Sequence, residues 1–463
     1  MGLVLQQPTN FEFKIMGVAP ISGFPEHLPA DCLAEQALIE HIKRQYELFG
    51  FSPIETCAVE RMDVLQAKGN MGRQVYGLNR AAEDDMATDL GLHFDLTVPL
   101  ARYVVQNSGQ LVFPFRRYQI QKVWRGERSQ AGRFKEFYQC DIDIVGRENL
   151  PEIHDAEFPA IIYNIFSTLN LPAPVIHISD RRIWDGFTQK FALQSDQIQS
   201  LLGTLDKTHK IGVEKVQAEL LKNGFTAECV TAAMEFLACQ SVEAGEAVLA
   251  KHEIQSTGLP KLQQTMENAI RFGCPASALK PDFSIARGLD YYTGTVFETF
   301  VEGKLHWGSV CSGGRYDDLA GAFGKQKYPG VGVSIGLSRL FARLREENVI
   351  QPTAMTPALV LVTMLDSRNF FEQYLEVARQ LRSAGVPTEV YLGKKGLGDQ
   401  IGYASKKGIP FALIAGETEF QNGQFKLKDL RAQQEEVILL QEAIERLKSQ
   451  MTQRTTRFVR ARE

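Results

Sequence analysis

The stretch from Phe115 to Gly146 constrains the fold of this chain most, because residue types alternate on both sides of a short loop. This alternation around the loop SQAGR predicts an antiparallel hairpin whose loop is longer than a tight turn. Side chains of a strand point to opposite faces in turn, so sequence position assigns each one to a face. The predicted core face of the second run carries Phe134, Tyr138, Cys140, Ile142 and Ile144.

The other face of the predicted hairpin is polar. It carries Phe137, Gln139, Asp141 and Asp143 on the second run, and Val123, Arg125 and Glu127 on the first. Such a face is a poor core, and it suits a ligand with anionic phosphate, a planar base and an ammonium group. Charged strand faces are usually just solvated, and for the hairpin alone this alternative stays open. Arginines on both flanks favour phosphate binding, because their forks match phosphate oxygens. These arginines are Arg116, Arg117, Arg125, Arg128 and Arg133.

The string RGERSQAGRFKEFYQCDIDIVG resembles the second signature motif of class II aminoacyl-tRNA synthetases, and specifically of the histidyl-tRNA synthetases. The resemblance implies an α+β fold with a class II catalytic domain over residues 1–350, built on an antiparallel sheet. A helical insertion is expected at about 185–275, either as a plain spacer or as a contact to the tRNA acceptor stem. A C-terminal α/β anticodon-binding domain is expected over residues 351–463, ending in a basic tail.

Composition fits a multidomain protein with packed cores. The 463 residues are 44% hydrophobic and 23% charged, and a net charge of −4 means that any RNA contact must use local patches. Seven scattered cysteines without a CxxC pair indicate neither a disulfide framework nor a zinc site. No signal pattern and no apolar run of membrane-spanning length is present, which predicts a cytoplasmic protein without a membrane segment.

A helix over about residues 31–48 is predicted because apolar residues repeat every four positions. These residues are Leu38, Ile42 and Tyr46. Together with the strand-like SPIETCAVE, this helix resembles the first motif of the family, which builds the dimer interface and so implies a homodimer. Cys57 stands about where the family usually has proline, and an ordinary amphipathic helix explains the periodicity equally well.

Two further segments complete the resemblance. ARGLDYYTG, with Arg287, Tyr291 and Tyr292, resembles a motif found only in histidine-specific members, although alone it is an ordinary strand edge with a cation–π contact. The string VCSGGRYDDLAGAFG predicts a strand, a glycine turn and a helix. PGVGVSIGLSRLF resembles the third class II motif and places Arg339 on a helix, with Ser338 where most relatives have glutamate.

The resemblance assigns the nucleotide site residue by residue. It implies that Arg125 binds the α-phosphate, that Glu127 lies on the adenine side and that Phe137 stacks on adenine. Arg133 and Arg339 would hold the outer phosphates of a bent ATP. Mg²⁺ would accompany ATP, held by phosphates and water, with no metal site in the protein and no prosthetic group.

The resemblance also assigns the catalytic, histidine-binding and tRNA-binding residues. Arg125 and Arg287 would be catalytic, facing each other across the α-phosphate. The tRNA acceptor end would meet Gln130 and Lys135. Without the family, Asp95 of the histidine site is equally a helix cap. The histidine-binding residues would be Asp95, Thr97, Gln139, Asp143, Arg287, Tyr291, Tyr292 and Tyr316.

These assignments predict a histidine–tRNA ligase, which joins L-histidine to ATP as an adenylate and then transfers the histidyl group to the 3′ end of its tRNA. One alternative is a paralogue that kept the fold for a regulatory role in histidine biosynthesis and lost aminoacylation. Another is a class II synthetase for a different amino acid, which ARGLDYYTG disfavours. A P-loop enzyme is disfavoured because no GxxxxGK[ST] string occurs.

Overall fold

The computed structural model describes residues 18–67, 74–79, 88–127, 132–285, 292–317, 320–352 and 354–455. Within these ranges, the chain up to residue 346 is built around one large sheet. Its strands and helices in chain order are α1 (Pro29–Leu48), β1 (Ser52–Pro53), β2 (Val59–Arg61), α2 (Met62–Leu65), β3 (Gly77–Leu78), β4 (Leu90–Leu92), α3 (Thr97–Asn107), β5 (Phe115–Trp124), β6 (Glu136–Val145), α4 (Glu157–Ser167), β7 (Pro174–Asp180), α5 (Ile183–Lys190), α6 (Ser195–Leu205), α7 (Thr208–Ile211), α8 (Val213–Lys222), α9 (Ala227–Leu237), α10 (Val242–Lys251), α11 (Gly258–Arg271), β8 (Leu279–Pro281), β9 (Thr295–Val301), β10 (Cys311–Tyr316), β11 (Gly330–Gly336) and α12 (Leu337–Glu346).

The large sheet has the strand order β1-β5-β6-β11-β10-β9-β7-β8. Its strands pair antiparallel except at the two edges, where β1 pairs with β5 and β7 with β8 in parallel. A small sheet of order β2-β4-β3 lies beside it. The antiparallel core expected from the resemblance is therefore confirmed.

The predicted hairpin is the pair β5 and β6, and its register confirms the predicted polar face. Directly paired residues of an antiparallel ladder lie on the same face of the sheet. The pairs on the polar face are Val123 with Phe137, Gln121 with Gln139, Gln119 with Asp141, and Arg117 with Asp143. The assignment of Phe134 to the core was wrong: β6 begins only at Glu136, and Phe134 lines a cavity on the polar side.

Helix α1 packs against the opposite side of the sheet, as the four-residue repeat predicts. Leu38, Ile42 and Tyr46 are fully buried in the main core with residues of α4 and the inner face of β6. The helix begins at Pro29, because proline suits the first turn, where its missing N–H is not needed. It ends before Gly50, whose φ of +74° is a conformation that favours glycine.

Helices α5 to α11 form the segment between β7 and β8. The structure therefore has a helical insertion at the predicted place. Its helix starts carry local signals: the side chains of Thr226 and Ser241 cap α9 and α10 by accepting hydrogen bonds from backbone N–H groups. The aromatic rings of Trp184, Phe187 and Phe236 pack together inside this segment.

The predicted glycine turn and helix after VCS were wrong. Gly313 and Gly314 lie inside β10 and pair with both β9 and β11, and the described residues between β10 and β11 contain no helix. The physical reason is close strand packing. A Cβ added at Gly313 would lie 2.1 Å from the carbonyl oxygen of Gly332.

The elements of the C-terminal region are β12 (Val360–Val362), α13 (Phe371–Ser383), β13 (Thr388–Val390), α14 (Leu397–Lys407), β14 (Phe411–Ile414), α15 (Glu417–Asn422), β15 (Gln424–Asp429), β16 (Gln434–Leu439) and α16 (Leu440–Thr455). Its strands form a separate sheet of order β13-β12-β14-β15-β16, and the region has its own core. Helices α13 and α14 end before Gly385 and Gly408, both with positive φ, which is the stop signal that the sequence offers. The α/β class is thus confirmed. Among the described residues, no helix is both long and apolar enough to span a membrane.

Candidate active site

A cavity of about 350 Å³ lies over the polar face of β6, β11 and β10. Its floor follows from the sheet register, which pairs Asp143 with Gly332, Asp141 with Ser334, and Ser334 in turn with Ser312. Among the lining residues are eleven that the sequence proposed for the site. They are Asp95, Thr97, Arg125, Glu127, Arg133, Phe137, Gln139, Asp143, Tyr292, Tyr316 and Arg339.

Four proposed residues do not belong to this described lining. Lys135 lies at the start of the second run, where its carbonyl accepts a hydrogen bond from the N–H of Arg125 at 2.8 Å, and it does not line the cavity. Arg287, Tyr291 and Gln130 lie outside the described residues.

Arg125 is held in place at one end of the cavity. Its Nε donates to the carbonyl oxygen of Phe94 at 2.9 Å, and its guanidinium carbon lies 5.2 Å from the ring centre of Phe137. The hydrogen bond to the Phe94 carbonyl uses only the Nε–H, whereas a guanidinium has five N–H donors in all. The remaining donors suit an anion placed beside an aromatic ring.

Further arginines gather at the same end. Arg339, on α12, donates from Nε to the carbonyl oxygen of Gly132 at 3.3 Å, next to Arg133 in the hairpin loop. Burial lowers the pKa of Arg339, and the nearby charges of Arg133, Arg343 and Arg125 lower it further. Glu127 lies 4.0 Å from Arg133. Such like-charged crowding is relieved when a polyanion binds.

Two of the flanking arginines were wrongly counted as phosphate binders. Arg117 lies on the polar face of the sheet, but it is fully buried and forms an ion pair with Asp143 at 2.6 Å. Arg116 points to the other side of the sheet, where it pairs with Glu157 at 2.7 Å and lies over the ring of Phe51. Strand alternation separates these neighbours, and neither lines the cavity.

The other end of the cavity is acidic and phenolic. Asp143 accepts a hydrogen bond from the hydroxyl of Tyr316 through Oδ1 at 2.9 Å, while its Oδ2 faces Arg117. Glycines leave the room for this pair: a Cβ on Gly332 would lie 2.0 Å from Oδ1 of Asp143, and one on Gly330 would lie 2.4 Å from the ring of Tyr316. Burial raises the pKa of Asp143, although Arg117 and Tyr316 oppose this.

The structure of Asp95 is compatible with both interpretations from the sequence, a helix cap and a residue of the ligand site. Its Oδ1 accepts a hydrogen bond from the backbone N–H of Val98 at 3.1 Å, as a residue at a helix start does. Its Oδ2 is buried and has no hydrogen-bond partner among the described residues, yet Asp95 lines the cavity. Burial raises the pKa of Asp95 to about 6, against the opposing effect of its backbone hydrogen bonds and Arg125.

Comparison with known proteins agrees with this geometry. The family model described as "Histidyl-tRNA synthetase" matches residues 23–340, and the one described as "Anticodon binding domain" matches residues 359–450. The chain belongs to the histidyl-tRNA synthetase family. It is 41% identical to the histidine–tRNA ligase of Nostoc sp. (strain PCC 7120), over 93% of this chain and 97% of the relative. It is 43% identical to that of Stenotrophomonas maltophilia (strain K279a), over 90% and 94%.

A solved histidyl-tRNA synthetase structure is similar over the same extent. The crystal structure of the enzyme from Nostoc sp. PCC 7120 superposes with a TM-score of 0.85 at 39% sequence identity. The match covers 94% of this chain and all of that one. The similarity therefore extends over the large sheet, the helical insertion and the C-terminal domain.

One departure from the histidyl-tRNA synthetase pattern has a local explanation. Ser338 stands where the resemblance predicts glutamate, and it is buried. Its hydroxyl accepts a hydrogen bond from the N–H of Tyr138 at 3.0 Å, so it ties the start of α12 to β6. Arg339, one residue later, still lines the cavity.

Sequence reasoning missed several lining residues of this histidyl-tRNA synthetase cavity, above all Asp141. Burial raises the pKa of Asp141 to about 7; Arg117 opposes this, and Asp143 and Asp95 add to it. The alternation signal had placed Asp141 on the correct face, without indicating a role. Ser334, also missed, accepts a hydrogen bond from Nε2 of Gln139 at 2.9 Å and so orients that amide.

Proposed function

We propose that this chain is a histidine–tRNA ligase that makes histidyl-adenylate from L-histidine and ATP, and then charges the 3′ end of histidine tRNA. In the first step a carboxylate oxygen of histidine attacks the α-phosphorus, and the bond to pyrophosphate breaks. In the second step the terminal ribose hydroxyl attacks the activated carbonyl, and AMP leaves. The observation that carries the proposal is one cavity with arginines at one end and carboxylates with phenols at the other.

The arginine end is proposed to bind ATP. Arg125 would contact the α-phosphate, where negative charge gathers during attack, and a preorganised guanidinium stabilises that charge. Phe137 would stack on adenine, with Glu127 on the adenine side. Arg133 and Arg339 would hold the outer phosphates. The support is their shared cavity and the crowding of like charges around Arg339.

Three further assignments rest on the family. Arg287 is proposed to oppose Arg125 at the α-phosphate, and Arg287→Ala is expected to slow adenylate formation by about 10²-fold. Mg²⁺ is proposed to enter with ATP, bound by phosphate oxygens and water, because this end of the described cavity offers guanidiniums and only Glu127 as a carboxylate. The bound ion would offset phosphate charge. Gln130 and Lys135 remain proposed contacts to the acceptor end.

The acidic end is proposed to bind histidine. Asp95, Thr97 and Gln139 would accept hydrogen bonds from its ammonium group, while Asp143, Tyr291, Tyr292 and Tyr316 would recognise the imidazole. A site whose buried polar groups match one polar side chain rejects apolar analogues by about 10⁴-fold or more, because those groups would otherwise lose their partners. The buried contact between Tyr316 and Asp143 supports this assignment.

We also propose a homodimer in the cytoplasm, with a catalytic domain to about residue 350 and an anticodon-binding domain beyond it. The two family-model matches, which end at residue 340 and resume at residue 359, support this division. Free thiols at every described cysteine are consistent with a reducing compartment.

The test is a pair of assays on the purified chain. Histidine-dependent exchange of pyrophosphate into ATP measures the first step, and charging of histidine tRNA measures both. Activity in both assays is expected, with other amino acids inactive in the first. Arg339→Ala is expected to weaken exchange, whereas Arg379→Ala, an exposed helix arginine paired with Glu376, is the matched control. A folded protein without exchange would be a binding paralogue, and the proposal would fall.

A further inference from the structure

Three buried acceptor oxygens in the cavity have no hydrogen-bond partner among the described residues. They are Oδ2 of Asp95, Oε1 of Gln139 and Oδ1 of Asp141. All three residues line the cavity, and their exposed fractions are 2%, 8% and 3%. Leaving a buried acceptor unpaired costs about 1–3 kcal/mol, so three in one cavity indicate a ligand that donates hydrogen bonds.

The neighbouring contacts fix which oxygens stay open. Nε2 of Gln139 donates to Ser334, which leaves Oε1 for the cavity. Oδ1 of Asp95 accepts from the N–H of Val98, which leaves Oδ2. Asp141 lies two residues after Gln139 on β6 and pairs with Ser334, whose side chain hydrogen-bonds to it, while Oδ1 of Asp141 has no partner among the described residues. Both oxygens of Asp143, by contrast, already have partners in Tyr316 and Arg117.

Charge points to the same kind of ligand. Asp95, Asp141 and Asp143 are all buried around this floor, and two cations act on them: the fully buried Arg117 on all three, and Arg125 on Asp95. A cationic donor would therefore be stabilised by unbalanced carboxylates. An ammonium group carries one positive charge and three N–H donors, which equals the number of open oxygens.

We propose that Oδ1 of Asp141 accepts a hydrogen bond from the α-ammonium group of histidine, completing a three-acceptor site with Asp95 and Gln139. This inference rests on the proposed function and adds a specificity residue to it. In this three-acceptor site Asp141 takes the place that the resemblance gives to Thr97. The site selects for an α-amino group, because a substrate without one leaves all three oxygens unpaired.

The test separates the ammonium group from the imidazole. The probes are histidinol, which keeps both groups, and imidazole-4-propionate, which lacks the ammonium group; calorimetry measures the affinity of each. In Asp141→Asn, histidinol is expected to bind about 10- to 100-fold more weakly, as the loss of a hydrogen bond to a charged group predicts. The affinity of imidazole-4-propionate is expected to change less than about twofold, since the probe lacks the group that Asp141 binds.

Asp143→Asn is the contrast, because it is expected to weaken both probes through the imidazole. Asp141→Ser is a second, smaller variant that should repeat the selective loss if the asparagine variant fails to fold. Equal weakening of both probes in the Asp141 variants, or no weakening in a folded variant, would overturn the proposal. Histidine-dependent exchange of pyrophosphate into ATP by the wild-type protein is measured in parallel. Its absence would overturn the function itself, whereas probe selectivity decides the role of Asp141.

Discussion

Arg117 gives the sharpest prediction about stability. Its guanidinium is fully buried and lies 2.6 Å from Asp143, and it opposes the rise that burial causes in the pKa of both Asp143 and Asp141. Arg117→Met keeps much of the side-chain volume but removes the charge. The buried carboxylates are then uncompensated, and removing one partner of a buried ion pair typically costs about 3–5 kcal/mol.

The alternative for the variant is to protonate Asp143, the ion-pair partner of Arg117, and this makes the loss depend on pH. Holding a proton at about pH 7 on a carboxyl whose unfolded pKa is about 3.9 costs about 4 kcal/mol, but at about pH 5 only about 1.5 kcal/mol. Loss of Arg117 raises the folded pKa further, so the folded variant binds more protons than the unfolded chain. Its stability therefore falls as pH rises from about 4 through the folded pKa values of these aspartates.

The assay is urea unfolding of wild type and variant across this pH range. The difference in unfolding free energy is expected to be about 4 kcal/mol near pH 7 and to shrink by more than half near pH 5. Arg116→Met is the matched control on the same strand. Burial alone would raise the pKa of Glu157, but hydrogen bonds from His154 and Arg116 hold it at about 2. Loss of Arg116 should therefore cost about 1 kcal/mol with little change between pH 5 and 7. A small or pH-independent loss in Arg117→Met would refute the reasoning.

Three further predictions concern activity. Tyr316→Phe removes the 2.9 Å hydrogen bond to Asp143, so the KM for histidine should rise about tenfold in the exchange assay while the KM for ATP stays unchanged. Gly332→Ala places a methyl group where the Asp143 carboxylate lies and should lower histidine-dependent exchange by about 10²-fold. Gly203→Ala is the control, because Gly203 has open space around it and its substitution should leave exchange unchanged. Equal effects of the two substitutions would contradict the steric argument. Deletion beyond about residue 352 should abolish tRNA charging but spare adenylate formation in a folded core, and equal loss of both would reject the domain division.

Local periodicity made much of this fold predictable. The two-residue alternation of β6 assigned Gln139, Asp141 and Asp143 to one face, because the pleat itself sets that period. The four-residue repeat in α1 located its buried side, and Gly385 and Gly408 marked helix ends. These signals depend on neighbours in the chain, so a single sequence contains them.

Features that depend on pairing between distant segments were not predictable. Whether Arg117 binds phosphate or a carboxylate depends on which residue lies opposite it, and Asp143 takes that place only through the hairpin register. The glycines of β10 carry no local sign of being inside a strand. The edge strand β16 is mostly exposed on both faces, so its sequence QEEVIL shows no alternation of polar and apolar residues. An unpartnered oxygen on Asp141 is likewise a property of its surroundings.

Gly330 and Gly332 bear on how this enzyme family can change its substrate. Nothing smaller than glycine exists, so mutation at either position can only narrow the space that Tyr316 and Asp143 occupy. Beside these two glycines, additional space for the substrate could come only from shortening Tyr316 or Asp143 themselves. Each such change would remove a group that we propose recognises the imidazole of histidine, so broader substrate acceptance would come with lower accuracy.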